Sequence, residues 1–334
     1  IICTQYLGQK NHEMANKSAR QALFIITAIS VFIVVLGLAF RAPLLSFIFG
    51  KVDADVMENS MVYFFYTVLS YPFIALYDAG ASIFRAQENT RGPMVISIIS
   101  NVMNIVGNGI LIWVFHMGVA GAALSTLISR IFCAVVVIIQ LRKEREGQEI
   151  VVRDYFKIRP DWSMIRRILG LGIPSGIENS MFQLGKLAIQ STVSTLGTTA
   201  IAAQAMTNIL ENLNGMAAIG VGVGLMTIVG QCMGADRKDE AVYYIKKLSV
   251  IAEVAIIVSC LLVFALTEPV TVLGGMEPAS AKMCFHMVTW ITLVKPIVWT
   301  LAFVPAYGLR AAGDVKFSMI TSCLVTVSYT HLRA

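Results

Sequence analysis

Of 334 residues, 57% are hydrophobic and only 14% are charged, with a formal net charge of +6. At a mean hydropathy of +0.73, the chain lacks the polar surface that a water-soluble domain of this size needs, which excludes soluble globular, disordered and fibrous classes. What remains is an all-α polytopic membrane protein, in which surplus Lys and Arg belong to cytoplasmic loops rather than to a nucleic-acid surface.

In chain order, the sequence opens on Ile1 in what reads as the end of a helix, with no Met and no signal peptide before it. Residues 21–40 and 59–77 are uncharged apolar spans. Residues 92–129 carry no Asp, Glu, Lys or Arg over 38 positions. That length predicts two crossings joined by a turn at His116-Met117-Gly118, the second continuing through Arg130 to Leu141. The only long polar stretch, 142–167, mixes eight basic with five acidic residues and reads as a solvated, partly helical cytoplasmic linker. Spans follow near 168–195, 200–230, 248–267 and 283–308, with a broken one from 316. The count is eight complete helices, a remnant at the front and a partial helix at the back. Residues 328–334 interrupt the last apolar run and read as foreign to it. The expected plan is an N-terminal lobe (1–141), a linker (142–167) and a C-terminal lobe (168–334), both lobes cut at their outer ends.

Loop charge sets the orientation. Segments 10–20, 85–91, 142–167, 237–247 and 310–316 hold 19 Lys and Arg, against Arg41, Lys51 and Lys282 in the alternate segments. The positive-inside bias makes the first group cytoplasmic, in a plasma (inner) membrane. The six cysteines, Cys3, Cys133, Cys232, Cys260, Cys284 and Cys323, stand far apart. They read as small apolar helix residues, not as disulfides or a zinc site.

The chain repeats itself. Gln5, Gly8 and Ala15 align without gaps on Gln231, Gly234 and Ala241, 226 residues later. Arg85-Ala86 aligns on Arg310-Ala311, and Pro72 on Pro296, at nearly the same offset. About 225 residues hold six helices at this spacing. Six is even, so the two copies enter the membrane in the same orientation, and the interface of such repeats tends to hold a substrate.

These residues resemble a known family. Gln-x-x-Gly after the second helix of each half, Leu-Gly-Ile-Pro-Ser-Gly at 171–176, and Gly308-Leu309-Arg310-Ala311-Ala312-Gly313-Asp314 after the tenth helix are together similar to the multidrug and toxic compound extrusion (MATE) family, of the NorM and DinF kind. The resemblance implies two pseudo-symmetric six-helix bundles. It implies export of organic, often cationic, compounds by antiport with Na+ or H+. Lipid-linked oligosaccharide flippases share the fold and form the alternative. NorM-like members carry a Glu about two turns after the proline of the seventh helix and an Asp in the tenth. Here Glu178 follows Pro174 by only four residues, and Lys295 stands where that acid is sought.

Ionisable residues inside spans are costly and point to function. Asp78, Arg130, Glu178, Lys186, Glu211 and Lys295 are such residues. Counting at 1.5 Å per residue puts Glu178 and Glu211 near the bilayer midplane on consecutive helices. Carboxylates in low dielectric can take up a proton near neutral pH, or hold Na+ with nearby amide oxygens. Asn179, Gln183, Asn208, Asn212 and Asn214 supply such oxygens. Glu178 and Glu211 are therefore the expected sites for the coupling ion or a cationic substrate. The competing reading pairs Glu211 with Lys186 or Lys295 as packing. Asp78 is open between substrate exit, helix pairing and a partnership with Arg85. Arg130 reads as a structural cap. Pro72, Pro174 and Pro296 predict kinks, static or mobile.

Four scattered histidines and the lack of His-Glu-x-x-His, Walker or Gly-x-Ser-x-Gly motifs argue against an enzyme or a nucleotide-driven pump. A channel or receptor does not need a duplicated bundle with buried acids. The expectation is a monomeric secondary transporter that meets small organic cations and membrane lipids, binds no nucleic acid, and needs no cofactor beyond its coupling ion.

Overall fold

A computed structural model describes residues 1–49, 54–143, 148–152, 155 and 158–331. Lys51, the linker residues Glu144, Arg145, Glu146, Arg153, Asp154 and Lys157, and residues 332–334 lie outside them. Among the described residues every regular element is helical. Seven helical stretches are long and apolar enough to cross a membrane. They are His12–Ala39 (α2), Ala54–Ala86, Arg91–Val114, Gly118–Arg142 (α7), Thr198–Gly234 (α9), Lys238–Leu273 (α10) and Pro278–Ala312 (α11). Ala54–Ala86 comprises α4 (Ala54–Leu69) and α5 (Tyr71–Ala86), and Arg91–Val114 comprises α6 (Arg91–Gly109) with a π turn at Ile110–Val114. The remaining helices are α1 (Ile2–Gly8), α3 (Arg41–Phe49), the long but more polar α8 (Trp162–Ser194) and α12 (Val315–His331). Helix is what a lipid-embedded chain must form, since each backbone N–H and C=O is then satisfied within its own segment. Phe32, Trp113 and Leu301 stay 62%, 79% and 75% exposed, as suits side chains whose solvent is acyl chain. The turn expected at His116–Gly118 joins the π turn to α7, with both residues in the left-handed region.

The chain forms two compact units, Lys10–Arg166 and Cys3–Gln9 with Arg167–Ala334. In the first, Pro72 is not internal to a helix as expected. The interruption falls two residues earlier, at Ser70, and Pro72 occupies the first turn of α5, where its missing N–H costs nothing. Ser70 is wholly buried; its hydroxyl donates to the Thr67 carbonyl at 2.6 Å and accepts from Arg130 Nη1 at 2.5 Å. Arg130 thus braces the break.

In the polar stretch after α7, the described residues are not freely solvated. Three side-chain amides act as surrogate backbone. Asn16 donates to the Glu149 carbonyl at 3.1 Å and accepts from Val151 N–H at 2.8 Å. Gln21 donates to the Arg159 carbonyl at 2.7 Å and accepts from Asp161 N–H at 3.1 Å. Gln87 Oε1 accepts from Ile150 N–H at 2.8 Å. Irregular chain lacks helical partners for its peptide groups, and these amides supply them. Ile150 and Val152 are buried beneath this strap.

The strap ends at Asp161, whose carboxylate accepts from the Ser163 and Met164 N–H groups at the start of α8 and pairs with Lys17 at 2.5 Å. Hydrogen bonds from Lys17, Ser163 and Met164 hold its carboxyl well below the usual carboxylate range. A depressed folded value stabilises the fold above the unfolded value of about 3.9 and loses that contribution as the pH falls further. Asp161→Ala should lower the melting temperature in detergent by a constant amount between about pH 5 and 8, and the difference should shrink below about pH 3.9. Thermal scans across that range check it.

In the second unit, α9, α10 and α11 enclose two buried clusters, one around Leu225, Val229, Ala252, Ile256 and Val304, the other around Ala203, Leu210, Val263 and Val288. Within α9, Gly222 lies against the Tyr307 ring, whereas Gly220 and Gly224 face open space. The closest approach is elsewhere. Short α1 packs on α9 so tightly that a Cβ on Gly8 would lie 2.1 Å from the Gln231 carbonyl, one on Gly234 2.0 Å from the Gln5 carbonyl, and one on Gly230 2.1 Å from Thr4 Oγ1. The contacts are reciprocal, because Thr4, Gln5 and Gly8 are the 226-residue counterparts of Gly230, Gln231 and Gly234. Two parallel helices therefore meet about a local two-fold axis, each presenting a small residue every fourth position. Gln5 Nε2 also donates to the Ala311 carbonyl at 3.0 Å, joining two of the repeat motifs. The repeat extends to backbone detail. α1 and α9 end at Gly8 and Gly234, α2 and α10 begin at His12 and Lys238, and Lys10 and Asp236 between them share φ 56°.

Gly234→Ala should destabilise the protein although alanine is the better helix former by about 0.5–1 kcal/mol. Gly220→Ala, in open space, should be neutral or stabilising. Size-exclusion profiles and melting temperatures in detergent separate the two.

Candidate functional site

Two cavities in the second unit carry polar chemistry. The first, of about 610 Å³, lies between α8 and α9. Gln183, Lys186 and Gln190 recur at helical spacing on one face of α8, as do Gln204, Asn208, Glu211 and Asn212 on α9, and all of them line the cavity. Phe182 and Leu187 add apolar wall. Residues three and four apart share a helix face, so a row of amides in each sequence becomes one amide wall. The Gln204 amide donates to Asn208 Oδ1 at 3.3 Å, and the Lys186 ammonium lies 5.9 Å from the Phe182 ring centroid. Glu211 is the carboxylate here, 48% exposed. Behind it stands Lys295 from α11, almost wholly buried, with Nζ 3.7 Å from the carboxylate and 3.3 Å from the Glu211 carbonyl.

The second cavity, of about 470 Å³, is bounded by α8, α11 and α12. Glu178 sits in its wall, buried. Its Oε1 accepts from Arg310 Nη2 at 2.6 Å, Ser318 Oγ at 3.0 Å and Ser322 Oγ at 2.9 Å. Its Oε2 is buried with no hydrogen-bond partner among the described residues. Phe182, Phe303 and Phe317 line the rest, and the Arg310 guanidinium lies 5.5 Å from the Tyr307 ring centroid. Removing one partner of a buried pair strands the other charge at about 3–5 kcal/mol, whereas removing both is far less costly. Arg310→Met should therefore destabilise strongly, and the double variant Glu178→Gln with Arg310→Met should regain much of the loss. A double-mutant cycle of denaturation midpoints in detergent measures this.

Glu178 and Glu211 therefore do not share one cavity; Phe182 stands in the wall of both. Arg310, the partner of Glu178, lies in the last turn of α11, so the carboxylate is level with that helix end. Gln183, Asn208 and Asn212 join Glu211. Asn179 is exposed and donates to the Ser175 carbonyl of its own helix at 2.9 Å. Asn214 is buried away from the cavity, against Cys260 Sγ at 2.9 Å. Asp78 belongs to the other unit and is exposed; Arg85 donates to Ser82 Oγ at 3.0 Å. Pro174 and Pro296 lie within continuous helices. The sequence marks Arg310 as a repeat position and a basic residue near a helix end, not as the partner of Glu178, and the four-residue spacing of Ser318 and Ser322 is the signal that could have found the serines. Among the residues that line the two cavities, Glu211 is the carboxylate of the first and Glu178 that of the second, so a cation at either site would meet one carboxylate with amide or hydroxyl oxygens.

Long apolar helices with polar cavities between them define a multi-pass membrane protein. The MatE family matches residues 1–110 and 174–330, and the chain belongs to that family. It is 25% identical over 328 residues to the probable multidrug resistance protein YoeA of Bacillus subtilis, covering 96% of this chain and 70% of YoeA. It is 25% identical over 286 residues to the probable multidrug resistance protein NorM of Thermotoga maritima, covering 83% of this chain and 60% of NorM. An outward-facing multidrug resistance MATE transporter of the MOP superfamily has the same fold, with a TM-score of 0.88 and 17% identity over 98% of this chain and 72% of that one. The chain thus spans 60% to 72% of the length of these relatives.

Proposed function

We propose that this chain belongs to a multidrug exporter that moves small organic cations by antiport with Na+ or H+, through alternating access of its two halves. In this reading it acts as a monomer in the plasma membrane, with its basic loops cytoplasmic. Glu211 is the carboxylate that takes the cation, with Gln183, Asn208 and Asn212 as oxygen donors beside it. The supporting observation is the half-exposed Glu211 in an amide-walled cavity of about 610 Å³ within the helices, a size suited to a small organic molecule. The names of the relatives YoeA and NorM agree with it.

Glu178 has a different task. Arg310 and two serine hydroxyls already satisfy its inner oxygen, so it holds α8 to α11 and α12. A soluble cation would have to displace a guanidinium at 2.6 Å. At Glu211 it meets an open carboxylate.

Reconstituted proteoliposomes loaded with ethidium test the reading. An imposed Na+ or H+ gradient should drive dye movement by the wild type, and a folded Glu211→Gln variant should lose at least about tenfold of that rate. An unchanged rate in the variant removes Glu211 from the cycle, and a wild type that ignores both gradients removes antiport.

A further inference from the structure

A site that only binds cations has no need of Lys295. This ammonium is 8% exposed and reaches Glu211 from α11, and it is not among the side chains that line the cavity. A buried ammonium needs a counter-charge, and among the described residues Glu211 is the carboxylate within ion-pair distance of it. The pair is loosely made. At 3.7 Å it exceeds the 2.7–2.9 Å typical of a charge-assisted hydrogen bond. Glu178 and Arg310, at 2.6 Å with two serine donors, show what a locked pair looks like in the same unit. Lys295 also donates to the Glu211 main-chain carbonyl at 3.3 Å, an anchor that does not depend on the carboxylate being free.

We propose that Lys295 is a tethered counter-cation. It neutralises Glu211 while the cavity is empty and competes with any soluble cation that enters. Glu211 is within reach of two kinds of cation, the buried ammonium of α11 and a solute in the cavity. When a solute takes the carboxylate, Lys295 keeps its bond to the 211 carbonyl and remains beside the site as an unmatched positive charge. Lys186 lines the same cavity as Glu211. A bound cation therefore faces two positive side chains across one carboxylate. This caps its affinity and favours its release, which suits a carrier more than a storage site. The inference rests on the reading of Glu211 as the cation site.

The test is equilibrium binding of ethidium to the purified protein in detergent, followed by fluorescence anisotropy, with melting temperatures recorded for every variant. Lys295→Met should bind ethidium about tenfold tighter than wild type, and Lys295→Arg should stay within about twofold. Lys295→Gln, which keeps a donor for the 211 carbonyl, should behave as Lys295→Met does and serves if the methionine variant fails to fold. With Glu211→Gln in the background, the gain from removing Lys295 should vanish. A lysine with a merely structural role would lower the melting temperature without raising affinity. Unchanged or weaker binding by folded, charge-free variants overturns the counter-cation. If Glu211→Gln alone leaves ethidium binding intact, the reading of Glu211 falls and takes this inference with it. If Glu211→Gln weakens binding while loss of Lys295 does not tighten it, only the counter-cation falls.

Discussion

The backbone contact between α1 and α9 governs how the carboxyl-terminal unit is built. Apolar helices in lipid gain no hydrophobic energy by meeting one another, so their positions are set by how closely small residues let them approach. Thr4 and Gly8 against Gly230 and Gly234 bring main chains together where no side chain fits. α9 continues without a break from this contact to its first residue, Thr198. A rigid rod fixed at Gly234 fixes the amide row at Gln204 and Asn208 about 40 Å away, at 1.5 Å per residue. The Gln5 amide on the Ala311 carbonyl adds α11 to the same anchor, and α11 carries both Lys295 and Arg310. The geometry of both cavities descends from that seam.

Within this frame two glutamates of equal intrinsic chemistry have opposite surroundings. Glu178 is buried among donors that leave one oxygen saturated and the other without a hydrogen-bond partner among the described residues. Glu211 faces open space, with a single distant ammonium behind it. Position along the helix does not tell them apart, because both lie well inside long helices. What distinguishes them is which other helices end beside them, and that is a tertiary property.

This difference also marks the limits of reading the chain. Uncharged runs of twenty residues announce helices because lipid permits little else, and the turn at His116–Gly118 was equally plain. The family was legible from Gln-x-x-Gly and Arg-Ala-Ala-Gly-Asp. The repeat was legible at an offset of 226, although the close approach at Gly230 and Gly234 was not, because a small residue shows its partner only once the helices are packed. The amide row facing Glu211 was partly visible, since Gln183, Asn208 and Asn212 were chosen while Gln190 and Gln204 were not. The strap was invisible. Asn16 and Gln21 meet residues more than 130 positions away, and nothing local marks an amide that will serve as someone else's backbone. Arg310 was misjudged because a basic residue near a helix end reads as a loop charge, whereas its guanidinium turns back into the bundle.

One oxygen atom of Glu178 fastens α8, α11 and α12 at a single point. Unfolding of this corner is therefore not a matter of one helix peeling away. Detaching α12 leaves the carboxylate with the guanidinium alone, and detaching α11 leaves it with two hydroxyls and no opposite charge. Each helix is the others' solvent at that spot, so the three form one cooperative block in which partial melting is penalised more than complete melting.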